Sequence, residues 1–128
     1  LNGSTAATVT LSNGTNMIRG STAADSITAG TGKDTFVYNA IGQSSTSAAD
    51  TITGFSAAND VLQFVGLNGS AIGFTYLGAA ALTNTGFAQA SFAAGVLSID
   101  TQGAGTADMK INLASLNGTL SESNFIWF

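Results

Sequence analysis

The sequence predicts an all-β protein, in which a short parallel β-roll of nonapeptide repeats is followed by an antiparallel β-sandwich-like cap. Three observations predict this fold. Residues 2–37 divide into four lines of nine residues. Short runs of β-branched and aromatic residues follow, separated by Gly, Ser and Asn. Two alternating apolar runs near residues 96–99 and 109–113 are spaced as a hairpin. We assign the roll to residues 1–38 and the cap to residues 39–128, as one continuous structural domain.

The four lines of the repeat share a register. They read NGSTAATVT, LSNGTNMIR, GSTAADSIT and AGTGKDTFV. Their sixth and eighth positions are Ala7, Asn16, Asp25 and Asp34, and Val9, Ile18, Ile27 and Phe36. Small residues early, an oxygen-bearing residue in the middle and an apolar residue near the end are typical of parallel β-helix repeats. The last three residues of each line should alternate out, in, out, so the eighth positions face one interior. Two lines then complete one coil, and lines on the same side are two apart in sequence.

This geometry predicts which side chains share an ion. Asn16 and Asp34 fall on one side of the roll, whereas Asp25 is stacked against Ala7. Turn carbonyls near three glycines would complete the site: Gly14, Gly30 and Gly32. Ca²⁺ suits this site because it binds six to eight oxygens, including neutral carbonyls. Asp25 is a further candidate ligand. The alternative is a calcium-free roll, held by its apolar stack and by ladders of Asn and Thr.

The four lines resemble the calcium-binding nonapeptides of RTX proteins, which are exported toxins, proteases, lipases and epimerases of Gram-negative bacteria. Residues 50–65, DTITGFSAANDVLQFV, are similar to the D-x-I-x-x-F…D-x-I-x-L/F segment that follows the roll in serralysin-type C-terminal domains. The resemblance implies that an acidic residue entering this segment, Asp50 or Asp60, closes the last calcium turn. The alternative is that both aspartates cap turns through their own backbone amides.

Residues 95–113, GVLSIDTQGAGTADMKINL, are similar to the L-x-x-D-x-N-G-D-G-x-A-D-x-x-I-x-L segment of the same domains. An EF-hand-like loop needs oxygen ligands at its first, third and fifth positions. Here these positions hold Asp100, Gln102 and Ala104. We therefore expect residues 101–106 to form a glycine-assisted β-turn without an ion between Asp100 and Asp108. Upstream, the alternation of Ile72, Phe74 and Tyr76 predicts another strand, and the Ser/Ala-rich residues 38–49 predict a loop.

The C-terminal residues TLSESNFIWF place a polar stretch before four apolar residues. In RTX exoproteins the uncleaved type I secretion signal occupies the C-terminal region, and several members end in an acidic residue followed by hydrophobic ones. The resemblance therefore implies the type I secretion machinery as a partner, although Asn124 stands at the acidic position. The alternative is a final strand in which Phe125 and Trp127 pack into the sheet. The secretion signal and the packed strand are compatible if the signal is read before the chain folds.

Composition excludes several classes of function. Charged residues make up only 8% of the chain and the net charge is -4. Three basic residues, Arg19, Lys33 and Lys110, cannot build the cationic stripe that nucleic acid requires. The absence of Cys and His excludes disulfides, His-based triads and ordinary zinc sites. No apolar run approaches the length of a membrane span.

The sequence therefore predicts a non-catalytic C-terminal module of an exported RTX-type protein. It would bind calcium in the roll, carry the type I secretion signal and fold outside the cell, so its location would be extracellular. The alternative is a calcium-dependent segment of a surface-layer or adhesin lattice that self-associates on the cell surface. Enzymatic activity is not expected, because the repeat and the turns account for the acidic residues. Since the chain opens at Leu1 without Met, we expect a missing N-terminal parent domain that carries any catalytic chemistry.

Overall fold

The computed structural model describes residues 1–67 and 73–128. Ile72 therefore lies outside the described residues. The described strands are β1 (Thr8–Thr10), β2 (Asn16–Arg19), β3 (Ser26–Thr28), β4 (Asp34–Tyr38), β5 (Asp50–Thr53), β6 (Val61–Phe64), β7 (Phe74–Tyr76), β8 (Ala88–Ala93), β9 (Val96–Asp100), β10 (Met109–Ala114) and β11 (Phe125–Trp127). Single 3-10 turns span Ile41–Ser44 and Glu122–Asn124. In this part of the chain no helix has the length and apolar character needed to cross a membrane. The all-β prediction is confirmed.

The first four strands form the predicted parallel roll. They alternate between a sheet of order β1-β3-β5-β10-β9-β8-β7 and a sheet of order β2-β4-β6-β11. β1 pairs with β3 so that Val9 lies beside Ile27, and β2 pairs with β4 so that Asn16 lies beside Asp34. Paired residues in both cases are therefore two nine-residue lines apart. The predicted stacking of alternate lines is confirmed.

Parallel pairing continues beyond residue 38. β5 joins β3 and β6 joins β4, which adds a third coil to the roll. β10 and β11 then extend the two sheets in parallel with β5 and β6. The antiparallel portion consists of β8, β9 and β10, and it includes the hairpin predicted from residues 96–113. The cap is thus built directly onto the end of the roll.

The hydrophobic core fills the space between the two sheets. Period-2 alternation turns one apolar residue of each short strand inward. Ile27, Phe36, Ile52 and Leu62 are at most 1% exposed. Val9 and Ile18 lie in β1 and β2, the edge strands of the two described sheets, and are only half-buried. At the other end from these strands, the core is closed by an aromatic cluster of Phe64, Phe74, Tyr76, Phe125 and Trp127.

The outward face of β1, β3 and β5 carries hydroxyl side chains in register. β1 reads TVT, β3 reads SIT and β5 reads DTIT. Their outward residues are Thr8, Thr10, Ser26, Thr28, Thr51 and Thr53. Threonine suits this position because its branched side chain packs well on a pleated surface. These residues form an uncharged polar face, which we call the hydroxyl face.

The connector between β4 and β5 is tied to the roll. Gln43 is 7% exposed. Its Oε1 accepts the backbone N–H of Asn39 at 2.7 Å, and its Nε2 donates to the carbonyl of Gly20 at 3.1 Å. Ser44 Oγ accepts the backbone N–H of Asp50 at 2.9 Å. These bonds fix the position at which β5 enters the larger sheet.

Candidate metal site

The aspartates of the roll lie in two columns, one on each side of the stack. The columns are Ala7, Asp25 and Asp50, and Asn16, Asp34 and Asp60. In each column the carboxylate accepts the backbone N–H of the residue one coil nearer the N-terminus. The distances are 2.8 Å for Ala7 to Asp25, 2.8 Å for Asp25 to Asp50, 3.2 Å for Asn16 to Asp34 and 2.9 Å for Asp34 to Asp60. The aspartates therefore connect successive coils through charge-assisted hydrogen bonds.

Three of these carboxylates also close their own turn. Oδ2 of Asp34 accepts the N–H of Gly30 at 2.9 Å, four residues earlier. Asp25 accepts the N–H of Ser21 at 2.7 Å and Asp60 that of Ser56 at 2.8 Å in the same way. Aspartate favours this conformation because its short side chain satisfies a turn N–H that has no strand partner.

At the Asn16–Asp34 turn, three oxygens converge on one point. Asn16 Nδ2 lies 2.7 Å from Asp34 Oδ1, 2.8 Å from the Ser12 carbonyl oxygen and 3.2 Å from the Gly14 carbonyl oxygen. A carboxylate and two carbonyls are ligands of the kind that Ca²⁺ prefers. A half-turn of the Asn16 amide would add a fourth oxygen, since the two ends of an amide are nearly equal in shape. Sequence reasoning brought Asn16, Asp34 and Gly14 together correctly but did not single out Ser12.

Gly30 and Gly32 allow the two turns to approach each other. A Cβ on Gly30 would overlap the carbonyl oxygen of Ser12, and a Cβ on Gly32 would overlap the carbonyl of Gly14. Gly14 itself has φ +138°, a conformation that side chains rarely adopt. Gly30 also donates its backbone N–H to Asp34 Oδ2. Gly30 and Gly32 thus allow the Ser12 and Gly14 carbonyls to lie close to the Asp34 carboxylate.

The Asp25 turn has a different arrangement. Asp25 and Ser21 are 2% and 3% exposed. The hydroxyl of Ser21 lies 3.1 Å and 3.0 Å from the two carboxylate oxygens, and 3.3 Å from the carbonyl oxygen of Thr5. Ala7 offers no side-chain oxygen. The sequence signal for this difference is the second position of each line, which is Ser in the third line and Gly in the fourth.

Asp50 lies at the buried end of its column. Its Oδ2 accepts the hydroxyl hydrogen of Tyr38 at 3.1 Å, and the residue is 0% exposed. Burial raises the pKa of Asp50 to about 6. Burial and the neighbouring Asp50 charge raise the pKa of Tyr38 well above its usual value. Burial also raises the pKa of Asp60. Both oxygens of Asp50 and of Asp60 accept protein hydrogen bonds.

Carboxylates alone do not form a metal centre. Among residues 1–67 and 73–128, no three His, Cys, Asp or Glu side chains gather closely enough to hold an ion. A cation in the roll would therefore need the amide and carbonyl oxygens of the Asn16–Asp34 turn. With one carboxylate, such a site should be weaker than one with two, because affinity follows ligand charge.

In the turn between β9 and β10, four backbone N–H groups donate to the Asp100 carboxylate. Oδ1 accepts the backbone N–H groups of Gln102, Gly103 and Ala104, and Oδ2 accepts that of Gly105 at 2.7 Å. Asp108 accepts the backbone N–H of Thr101 at 2.8 Å. A cation site needs converging oxygens, whereas this turn presents converging donors.

Comparison with known proteins agrees with the coil geometry. The family model for the peptidase M10 serralysin C terminal matches residues 1–127, which include all the described strands. This family covers the C-terminal, non-catalytic part of serralysins, which are secreted proteins of the RTX type. No curated protein matches the chain. The chain belongs to the peptidase M10 serralysin C-terminal family.

Proposed function

We propose that this chain is the non-catalytic C-terminal module of an exported RTX-type protein. In this proposal the module binds calcium in the roll, carries the type I secretion signal and folds outside the cell. The observation that supports it most directly is the convergence of Asp34 Oδ1 and the Ser12 and Gly14 carbonyls around the Asn16 amide. The residues that would hold the ion are Asp34 and Asn16 through their side chains, and Ser12 and Gly14 through their carbonyls.

The remaining aspartates are secondary candidates. Asp34 too accepts protein hydrogen bonds on both carboxylate oxygens, but one of its donors is the Asn16 amide, which can turn an oxygen toward an ion. Asp25, Asp50 and Asp60 lie in the same two columns, and both oxygens of each accept donors from backbone N–H groups or a buried hydroxyl. Binding an ion there would require those donors to lose their acceptor, at a cost of about 1 to 3 kcal/mol for each one left buried.

Calcium would make folding depend on location. In a cytosol poor in calcium, the chain would lack the stabilisation that the ion provides and would stay open enough for export. Outside, an ion held between β2 and β4 would connect the first two coils on that side. A ligand that binds only the folded state at a hundred times its Kd stabilises that state by about 2.7 kcal/mol.

The C-terminal strand is the proposed contact with the type I secretion machinery. In the folded domain, Phe125 is 8% exposed and the Trp127 ring stacks on Phe64 with a centroid distance of 4.6 Å. Phe125 is therefore unavailable after folding and the Trp127 ring is partly covered, so in this proposal the signal is read from the unfolded chain.

A calcium titration tests the proposal. Thermal unfolding is followed by circular dichroism in excess chelator and in millimolar calcium, for the wild type, Asp34→Ala and Asp25→Ala. We expect calcium to raise the Tm of the wild type and of Asp25→Ala, and to leave Asp34→Ala unchanged. Equal wild-type Tm values under the two conditions would refute calcium binding, even if the domain is well folded.

The alternative of a surface-layer or adhesin segment is favoured by one feature. β1 and β2 are both edge strands at the same end of the roll, where Val9 and Ile18 are half-buried. Edge strands can pair with another chain. Calcium-dependent growth of the particle mass in light scattering would support this lattice function. A monomer in both calcium and chelator would exclude it.

A further inference from the structure

The third and fourth lines of the roll differ at their second position, Ser21 against Gly30, and also at their fourth, Ala23 against Gly32. Ser21 and Gly30 each donate a backbone N–H to the carboxylate four residues later, at 2.7 Å to Asp25 and 2.9 Å to Asp34. The two turns therefore share this hydrogen bond, but their spacing to the neighbouring coil differs, because Ser21 has a Cβ where one on Gly30 would overlap the Ser12 carbonyl. Only Ser21 carries a side chain, and that side chain points at the carboxylate.

The Ser21 hydroxyl lies where a cation would have to bind Asp25. It is 3.0 Å and 3.1 Å from the carboxylate oxygens and 3.3 Å from the carbonyl oxygen of Thr5. It thus touches the same kinds of oxygen, a carboxylate and a turn carbonyl, that surround the Asn16 amide on the other side. In both turns a neutral donor group of the protein faces the carboxylate.

The two donor groups differ in how easily they can leave. Asn16 is partly exposed, and its side chain can turn so that an oxygen replaces the amide nitrogen. Ser21 is 3% exposed, and its Oγ also accepts the N–H of Ala23 at 3.2 Å. Displacing the hydroxyl would strand a buried polar group, which costs free energy.

We propose that the Ser21 hydroxyl takes the place of a cation in the Asp25 turn, so that the roll binds calcium on the Asn16–Asp34 side only. The absence of calcium at Asp25 follows from the position of the Ser21 hydroxyl. Calcium binding on the Asn16–Asp34 side rests on the proposed function. Ser21 is then the residue that decides which turns of this roll depend on metal.

Calorimetric titration with CaCl₂ tests this assignment. The proteins are the wild type, Asp25→Asn, Ser21→Gly and the double variant Ser21→Gly/Asp25→Asn, each checked for folding by circular dichroism. Ser4→Gly is the matched control, because Ser4 is an exposed serine in the same stack of turns. The titration extends well above about 10⁻³ M calcium, since sites of extracellular modules are often that weak.

We expect the wild type, Asp25→Asn and Ser4→Gly to bind the same number of ions with the same affinity. Ser21→Gly should bind one ion more, and the double variant should lose that additional ion. The proposal is overturned if Asp25→Asn removes an ion from the wild type, or if a folded Ser21→Gly gains none. If Ser21→Gly does not fold, the comparison of Asp25→Asn with the wild type decides the question.

The outcomes also separate this proposal from the proposed function. A wild type without calcium, together with an Asp25-dependent ion in Ser21→Gly, would refute calcium binding by the natural module and support the role of Ser21. A wild-type ion that depends on Asp25 would refute the role of Ser21 and support calcium binding by the natural module.

Discussion

Replacing Gly32 by alanine should destabilise the roll by about 3 kcal/mol. A Cβ at this position would lie 2.7 Å from Gly14 Cα and closer still to the Gly14 carbonyl, whereas ordinary contacts begin at 3.4 Å. The obstacle is backbone, which cannot rotate away as a side chain can. The two turns would have to separate until the contact with the Gly14 carbonyl is relieved, which is the kind of backbone shift that overpacking forces.

The expected loss of stability follows from the contacts that this separation of the turns would weaken. Overpacking typically costs about 1 to 3 kcal/mol. Moving the turns apart also weakens the bonds from the Asn16 backbone and side chain to Asp34, now 3.2 Å and 2.7 Å long. Each hydrogen bond to a charged group contributes about 1.5 to 3 kcal/mol when fully formed, and here both would be only partly lost.

Urea unfolding in excess chelator measures the effect, with Gly42→Ala as the control. A Cβ on Gly42 meets nothing within 4 Å. Gly42 also lies in a 3-10 turn, where alanine is favoured, so this variant should be neutral or more stable by up to about 1 kcal/mol. Our reasoning about the close approach of the turns would be wrong if Gly32→Ala and Gly42→Ala had the same free energy of unfolding.

Three further predictions concern other parts of the domain. Because the pKa of Asp50 is raised to about 6 in the folded state, above its usual 3.8, its ionisation should lower stability as the pH rises from about 4 to 6. In chelator, the Tm of Asp50→Asn should therefore gain on the wild type over that range, and a constant Tm difference would contradict this. Trp127→Ala should cost about 3 kcal/mol in urea unfolding and Trp127→Phe clearly less, because Phe keeps the stack on Phe64; equal costs would argue against stacking. Asp100→Ala should cost about 3 kcal/mol, equally in calcium and in chelator, because it leaves four turn N–H groups without an acceptor. A calcium-dependent cost would instead indicate an ion in that turn.

The sequence was sufficient to predict the first two coils. A constant period fixes which residues stack, so the pairing of Asn16 with Asp34 follows from counting alone. Apolar residues at the eighth position of every nine-residue line likewise predict the inward column. These inferences hold because a parallel roll repeats one local conformation, and its long-range contacts are set by the length of the line.

The third coil could not be predicted in this way. Asp50 lies 25 residues after Asp25, and Asp60 lies 26 residues after Asp34. The connector after β4 and the longer turn before β6 break the period, so only the structure brings these aspartates into the columns. The pairing of β11 with β6 is equally remote, since it joins residues about sixty positions apart and no local pattern specifies it.

The difference between the Asp25 turn and the Asp34 turn could not be predicted by counting ligands. Counting carboxylates and amides gives the ligands that a turn offers, but it omits the protein donors that compete for them. The Ser21 hydroxyl adds a second donor group to Asp25 from four residues away, whereas the glycine at the matched position gives Asp34 only its backbone N–H. The signal was present in the sequence as a single hydroxyl at the second position of one line.

The hydroxyl face has a consequence for how the protein responds to its solvent. Salt acts on protein surfaces largely by screening exposed charges. The six outward residues of β1, β3 and β5 are all Ser or Thr and carry no charge, so along these strands there is no ion pair for salt to weaken and no like-charge repulsion for it to relieve. We therefore expect the hydration of the hydroxyl face to depend little on ionic strength.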